Sequence, residues 1–364
     1  MKNKAGWDET KDRFKAWWQH SNIDRPLMKV VAKRKEPLES LEKSWKPKTP
    51  EDRYLDVDRK IINMRNYCRT HIFMADSFPS IDIDMGAGSM SIYLGLEPKF
   101  TWDTVWFKEC IDNWETWGPL EYDPENYWWN KHLELIKRGT ELAQGDFLIT
   151  IPDIIENLDI LAAMRGTQNL CFDMMDQPEL VKSYLNQLDE IYFQYYDKIY
   201  DIVKDKDGGS SYTTFSIWGP GKTAKIQCDF SAMISPNHFR EFALPSLRKQ
   251  CQRLDYSLYH LDGPAAIKHV EALMEIDELD ALQWTAGAGQ PDGGSEKWYS
   301  IYDQVVAANK SLWVMFSDGG INDWIESADK LVKRYGPERL YFLFPVMEEE
   351  DALRLMKKAE RDWK

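Results

Sequence analysis

The chain has 364 residues, 43% hydrophobic and 29% charged, with a net charge of −14. Such an acid surplus argues against a nucleic-acid partner, because neutralising phosphates needs a basic face. No run is long and apolar enough for a membrane span, and the first residues lack the apolar stretch of a secretion signal. The five scattered cysteines (Cys68, Cys110, Cys171, Cys228 and Cys251) read as free thiols of a reducing cytoplasm.

Residues 7–19 carry Trp7, Phe14, Trp17 and Trp18 on or near one face and are expected to form a helix. Ile23 to Pro26 read as a turn into a strand over residues 27–31. A helix over 53–69 then leads into a strand over 71–75 that ends at Asp76. Residues 77–88 form a loop whose glycines suit an active-site rim better than a phosphate cradle, since no P-loop or G-x-G-x-x-G pattern is present. Residues 97–129, rich in Trp, Pro and Asp, read as an insertion, followed by a helix to about Leu142. Further strands are expected over 147–151, 213–217, 256–259, 279–283, 312–316 and 340–344, with helices between them. Ser235-Pro236 opens one such helix, because proline at the first helical position loses no useful hydrogen bond. Its stripe of Phe239, Phe242, Ala243 and Leu247 demands burial. Residues 287–295 are glycine-rich and read as a lid. Alternating strands and helices without a linker predict an α/β fold, one (β/α)8 TIM barrel over residues 1–364. Residues 1–70 then form an N-terminal extension and 97–129 an insertion.

Residues 229–245 spell D-F-S-A-M-I-S-P-N-H-F-R-E-F-A-L-P, and 260–263 spell H-L-D-G. With M-R-G-T-Q-N-L at 164–170 and D-Q-P-E-L at 176–180, their order and spacing resemble the uroporphyrinogen decarboxylase superfamily, from about Asp24 to the C-terminus. The resemblance implies a TIM-barrel enzyme. The superfamily includes the decarboxylase itself and zinc-dependent methyltransferases that serve corrinoid proteins and coenzyme M. The resemblance also implies a functional aspartate at the position of Asp76. The family's arginine-rich segment, which clamps substrate carboxylates, is replaced here by V-A-K-R-K-E-P. The methyltransferases' zinc ligands are a histidine, a cysteine two residues later and a second cysteine near the C-terminus. His260 remains, Asp262 stands for the first cysteine, and no cysteine follows Cys251, so a thiolate-rich zinc site is excluded.

Residues just after the strands of a TIM barrel converge on one face. On that basis His260, Asp262 and Asp76 are the catalytic candidates, and Trp218, Trp284, Asp229 and Asp318 the substrate-binding ones. Asp153 and Glu348, also at strand ends, read as caps or loop structure, and the other histidines and Cys228 as structural. His260 and Asp262, two apart on a strand, should point the same way, with the carboxylate raising the imidazole's pKa. Two readings stand. With Asp229 or Asp318 the pair holds a divalent ion such as zinc, or it passes protons without metal. The 16 tryptophans and 17 tyrosines likewise have two readings, packing or an aromatic-walled pocket. Three functions follow. The first is a methyltransferase-like enzyme on a small substrate with a corrinoid protein as partner. The second is a decarboxylase or lyase on a carboxylated molecule, and the third a carbohydrate-active or carbohydrate-binding barrel using tryptophan stacking.

Overall fold

A computed structural model describes residues 1–21 and 24–364; Ile23, the start of the expected turn, lies outside the described residues. Six strands lie side by side in parallel in the order Leu27–Lys33, Leu340–Leu343, Ser311–Met315, Ala281–Thr285, Tyr256–Asp262 and Thr223–Gln227. Two more, Ser80–Asp82 and Leu148–Thr150, form a separate parallel pair. The Ile151 N–H donates to the Ser211 carbonyl at 3.0 Å, joining this pair to a hairpin of Ser210–Tyr212 and Ile217–Gly219. The Thr223 N–H donates to Ser210 Oγ at 3.0 Å, joining the hairpin to the edge of the six. The result is a mixed α/β architecture with a largely parallel central sheet that curls towards a barrel.

Side-chain alternation separates an inner from an outer face. Met28 and Phe342 are register partners, and Phe342 packs at 5.8 Å on Trp363, just after the Glu349–Asp362 helix, so this pair faces the helix layer. Their neighbours Leu27 and Tyr341, also partners, therefore face inward. The inner line continues through Trp313, Gln283, His260 and Gln227.

The first helix, Trp7–Trp18, seals the end where these strands start. Phe14 meets Tyr341 at 5.6 Å, Trp18 meets Tyr256 at 5.2 Å, and Trp17 Nε1 donates to the Arg339 carbonyl. The Ser235-Pro236 helix start holds, with Ser235 Oγ accepting from the His238 N–H, and all four residues of its stripe are buried. A π-helical turn at Phe239–Ala243 interrupts that helix just before Pro245, which has no N–H to give. The expected insertion is a hairpin, Glu97–Phe100 with Val105–Lys108, followed by the short helix Trp114–Trp117. Arg165 ties it down, bonding Asp173 and the carbonyls of Ile111 and Asp112. Gly166 is required beside it: its φ is +85°, and a Cβ would lie 2.6 Å from the Glu109 carboxylate.

Two expectations fail for one reason, strand direction. His71–Ala75 runs antiparallel to Leu27–Lys33, so Asp76 lands at the end sealed by the first helix. There it is fully buried and takes two bonds from Arg25, at 2.7 and 3.3 Å, and one from the Met28 N–H. Asp76 is a structural anion. The expected strand over 213–217 is instead a tight turn, and Trp218 sits on the returning strand Ile217–Gly219. Its ring packs on Trp7 and Phe14, and its carbonyl accepts from Trp18 Nε1. The expected lid is also pinned. Asp292 accepts the N–H groups of Gly294, Ser317 and Asp318, while the Gly293 carbonyl accepts from the Tyr302 hydroxyl.

Removing one partner of a buried ion pair strands the other charge, at a cost of about 3–5 kcal/mol. Asp76→Ala should therefore lose roughly that much in urea unfolding, which an Asp76 merely lining a cleft would not do.

Candidate functional site

Asp229, His260 and Asp262 each offer a ligand atom, and these atoms lie within 4.8 Å of one another. The cause is local. His260 and Asp262 share a face of the Tyr256–Asp262 strand, and Asp229 follows the end of the neighbouring Thr223–Gln227 strand, where Gln227 is the register partner of His260. The two carboxylates are exposed and the imidazole half-buried.

A polar scaffold holds the three groups. His260 Nδ1 bonds Gln283 Oε1, while Gln283 Nε2 donates to Thr285 Oγ1 at 2.8 Å. With the amide in that orientation the proton sits on Nδ1, and Nε2 carries the lone pair. On the adjacent strand Gln227 Nε2 donates to Asp229 Oδ2 at 2.9 Å and to Asp159 Oδ2 at 3.1 Å. Its Oε1 accepts from Lys225, whose Nζ is also 2.7 Å from Asp153 Oδ1. Asp159 takes the N–H groups of Asp229 and Phe230, and Glu156 takes that of Gln227. The 213–216 turn crosses the interior beneath the site. Its Phe215 and Ser216 carbonyls accept from Trp313 Nε1 and the Tyr341 hydroxyl, and the Phe215 ring lies 5.2 Å from His260.

Burial sets the protonation states. It holds His260 below the ordinary histidine value and outweighs the Gln283 bond and the Asp262 charge, both of which act the other way. The expected rise does not occur, so the imidazole is kept neutral. Although Asp229 is exposed on one side, desolvation by the protein packed around it, then the Asp159 charge, pushes it up to about 7. Burial pushes Glu156 up to about 8. For Lys225 burial alone would lower the pKa, but the Asp153 and Glu156 carboxylates hold it above the ordinary lysine value.

Of the substrate-binding candidates only Asp229 joins the cluster. Trp284, one residue beyond inward-facing Gln283, turns to the helix layer, buried at 5.1 Å from Trp298. Asp318 is exposed and bonds the Asp292 N–H. With Asp76 and Trp218 at the opposite end, the expected shared pocket of Asp76, Trp218, His260 and Trp284 is not formed. The tryptophans named for a pocket wall are packing residues. Asp153, expected as a cap, pairs with Lys225 instead. Sequence reading missed Gln227, Gln283, Lys225, Glu156 and Asp159. Lys225 and Gln227 share Asp229's side of their strand by period two, which was the available signal.

Folding raises the Glu156 pKa from 4.5 to about 8, so the folded chain holds this proton more tightly than the unfolded chain. Its stabilising contribution is complete below about pH 4.5 and is lost as pH rises to about 8. Glu156→Gln keeps an oxygen for the Gln227 N–H and carries no charge. In urea unfolding across this window, the mutant should gain on the wild type as pH rises; a flat difference would mean Glu156 does not titrate there.

No protein-family profile matches the sequence, and no curated protein does. Among solved structures, a methyltransferase from Methanosarcina mazei superposes with a TM-score of 0.59, covering 98% of this chain and 99% of that one at 11% identity. The two share a fold across their whole lengths. Among the described residues no helix is long and apolar enough to cross a membrane.

Proposed function

We propose that this chain is a methyltransferase-like enzyme of the uroporphyrinogen decarboxylase superfamily. It is one (β/α)8 domain that acts on a small substrate at the strand ends around Asp229, His260 and Asp262. The carrying observation is the convergence of those three ligand atoms within 4.8 Å. The full-length likeness to a solved methyltransferase supports the fold, and the H-L-D-G and I-S-P-x-x-F-x-E-F motifs support the superfamily. A corrinoid protein is the proposed methyl donor or acceptor. A carbohydrate stacked on Trp218 or Trp284 has lost its basis, since both rings are buried elsewhere.

The residues present fit a divalent ion. A neutral imidazole with a free Nε2 and two exposed carboxylates make a nitrogen and oxygen donor set without thiolates, suited to a catalytic rather than a closed structural site. Asp229, His260 and Asp262 would hold it, and when bound it would supply Lewis acidity towards a substrate heteroatom. The chain's own groups do the rest. Gln283 keeps the proton on Nδ1, Gln227 aims the Asp229 carboxylate, and Phe215 closes the space beneath the imidazole.

Titration calorimetry with zinc and manganese should show one ion per chain. His260→Ala and Asp262→Asn should abolish that binding. Gln283→Leu, which removes only the partner of the ring nitrogen, should weaken it roughly 10–100-fold. Unchanged binding in His260→Ala would sink the metal reading. Turnover is tested with methylated amines or methoxyaromatics and a reduced corrinoid, following the methylcorrinoid spectrum. His260→Ala should abolish the signal, while Phe215→Leu, which keeps the imidazole, should retain it; full activity in His260→Ala would refute the catalytic role.

A further inference from the structure

The buried lysines of this chain have acceptors. Lys4 bonds the carbonyls of Phe73 and Ala75, Lys11 bonds Asp207, Lys225 bonds Asp153, and Lys310 bonds the carbonyls of Ile276 and Leu279. Lys29 breaks the pattern. It lies in the middle of Leu27–Lys33, and its register partner Leu343 is in turn the partner of Met315. That line is two residues on from Leu27, Tyr341 and Trp313, so Lys29 faces inward while Met28 and Val30, both fully buried, face the helices. Among the described residues no carboxylate, carbonyl or hydroxyl accepts a bond from its ammonium. Its side chain is nevertheless half-buried rather than sealed, so solvent reaches it inside the sheet's concave face.

An ammonium in that position is costly to keep. It has left much of its water and gained no partner, and burial, the only influence on it, lowers its pKa. A methionine would fill the same space without that cost. The other inward lysine, Lys225, is neutralised on the spot by Asp153. On the opposite wall Gln227 is tied to Asp229, and His260 to Gln283. Of the two inward lysines among the described residues, Lys29 is the one whose ammonium has no protein acceptor, and a group that matches both its charge and its donors is an anion from outside the chain.

We propose that Lys29 seats a single oxyanionic group, carboxylate or phosphate, of the small substrate whose other end reaches Asp229, His260 and Asp262. The substrate class follows from charge. One ammonium balances one oxyanion, and the carboxylates across the interior disfavour a polyanion. The proposal rests on the site reading for the second half of the molecule only; the oxyanion seat stands on Lys29 itself.

The test uses sodium acetate and sodium phosphate against chloride at constant ionic strength, read by calorimetry and thermal shift, on the wild type, Lys29→Met, Lys29→Arg and His260→Ala. Wild type should bind at least one of the two anions over chloride, and which one distinguishes a carboxylate from a phosphate seat. Lys29→Met should weaken that binding roughly tenfold or more, the loss of a charge-assisted hydrogen bond, while Lys29→Arg retains it. Without added anion, Lys29→Met should melt no lower than the wild type. His260→Ala should keep the anion effect, and Lys29→Met should keep the zinc response, so failure of the metal site and failure of the oxyanion seat are told apart. The proposal is overturned if Lys29→Met binds the anions as the wild type does, or if the wild type prefers neither to chloride. It is also overturned if Lys29→Met melts well below the wild type, since Lys29 would then be a structural cation.

Discussion

The register that sets Gln227, His260 and Gln283 side by side on three parallel strands fixes the polar cluster around His260. Partners across a ladder point to the same face, so one alignment places an amide on each side of the imidazole. The two amides then act differently. Gln283 accepts from the ring and settles its tautomer; Gln227 donates to Asp229 and settles the carboxylate. A one-residue slip of the central strand would turn His260 and Asp262 outward together and bring Tyr259 and Leu261, now buried in the helix layer, into the interior. Packing of those two apolar side chains is thus what holds the polar ones in place.

Burial in this interior acts on every titratable group in the direction that removes charge, and its effect differs with the partners available. Lys225 keeps its proton because Asp153 and Glu156 stand beside it. Glu156 accepts an N–H bond but is enclosed, and burial wins. His260 has a carboxylate two residues away and still stays neutral, because burial outweighs both that charge and the Gln283 bond. A neighbouring carboxylate alone does not protonate an imidazole whose own burial disfavours the charged ring.

What the sequence made legible was whatever depends on local pattern. Period two put His260 and Asp262 on one wall, Ser235-Pro236 marked a helix start, and the apolar stripe after it is buried as its spacing demands. What it hid depends on direction and register. Nothing in the residues around Asp76 or Trp218 says that their strands run antiparallel, yet that reversal moves both side chains to the far end of the sheet. Gln227 and Gln283 are ordinary strand residues until the ladder sets them beside His260. Counting tryptophans was uninformative for the same reason: Trp284 and Gln283 are adjacent in sequence and lie on opposite faces.

The reversal also explains how the two ends of the sheet come to differ. At the end where the parallel strands start, the reversed strands deliver an aspartate and a tryptophan into a layer already supplied with Arg25 and the aromatic face of the first helix. Charge is paired there and ring packs on ring, so that end is closed and rigid. At the other end three neighbouring strands stop on the polar residues Gln227, Asp262 and Thr285, and Asp229 and Asp262 are exposed. The 213–216 turn divides these regions. It hangs from Trp313 and Tyr341 on one wall, and Thr213 bonds Thr150 and Ser80 on the other. A turn anchored on both sides gives the open end a floor that does not depend on the loops above it. The geometry of Asp229, His260 and Asp262 is therefore set by the sheet and this crosspiece rather than by the exposed loops above them.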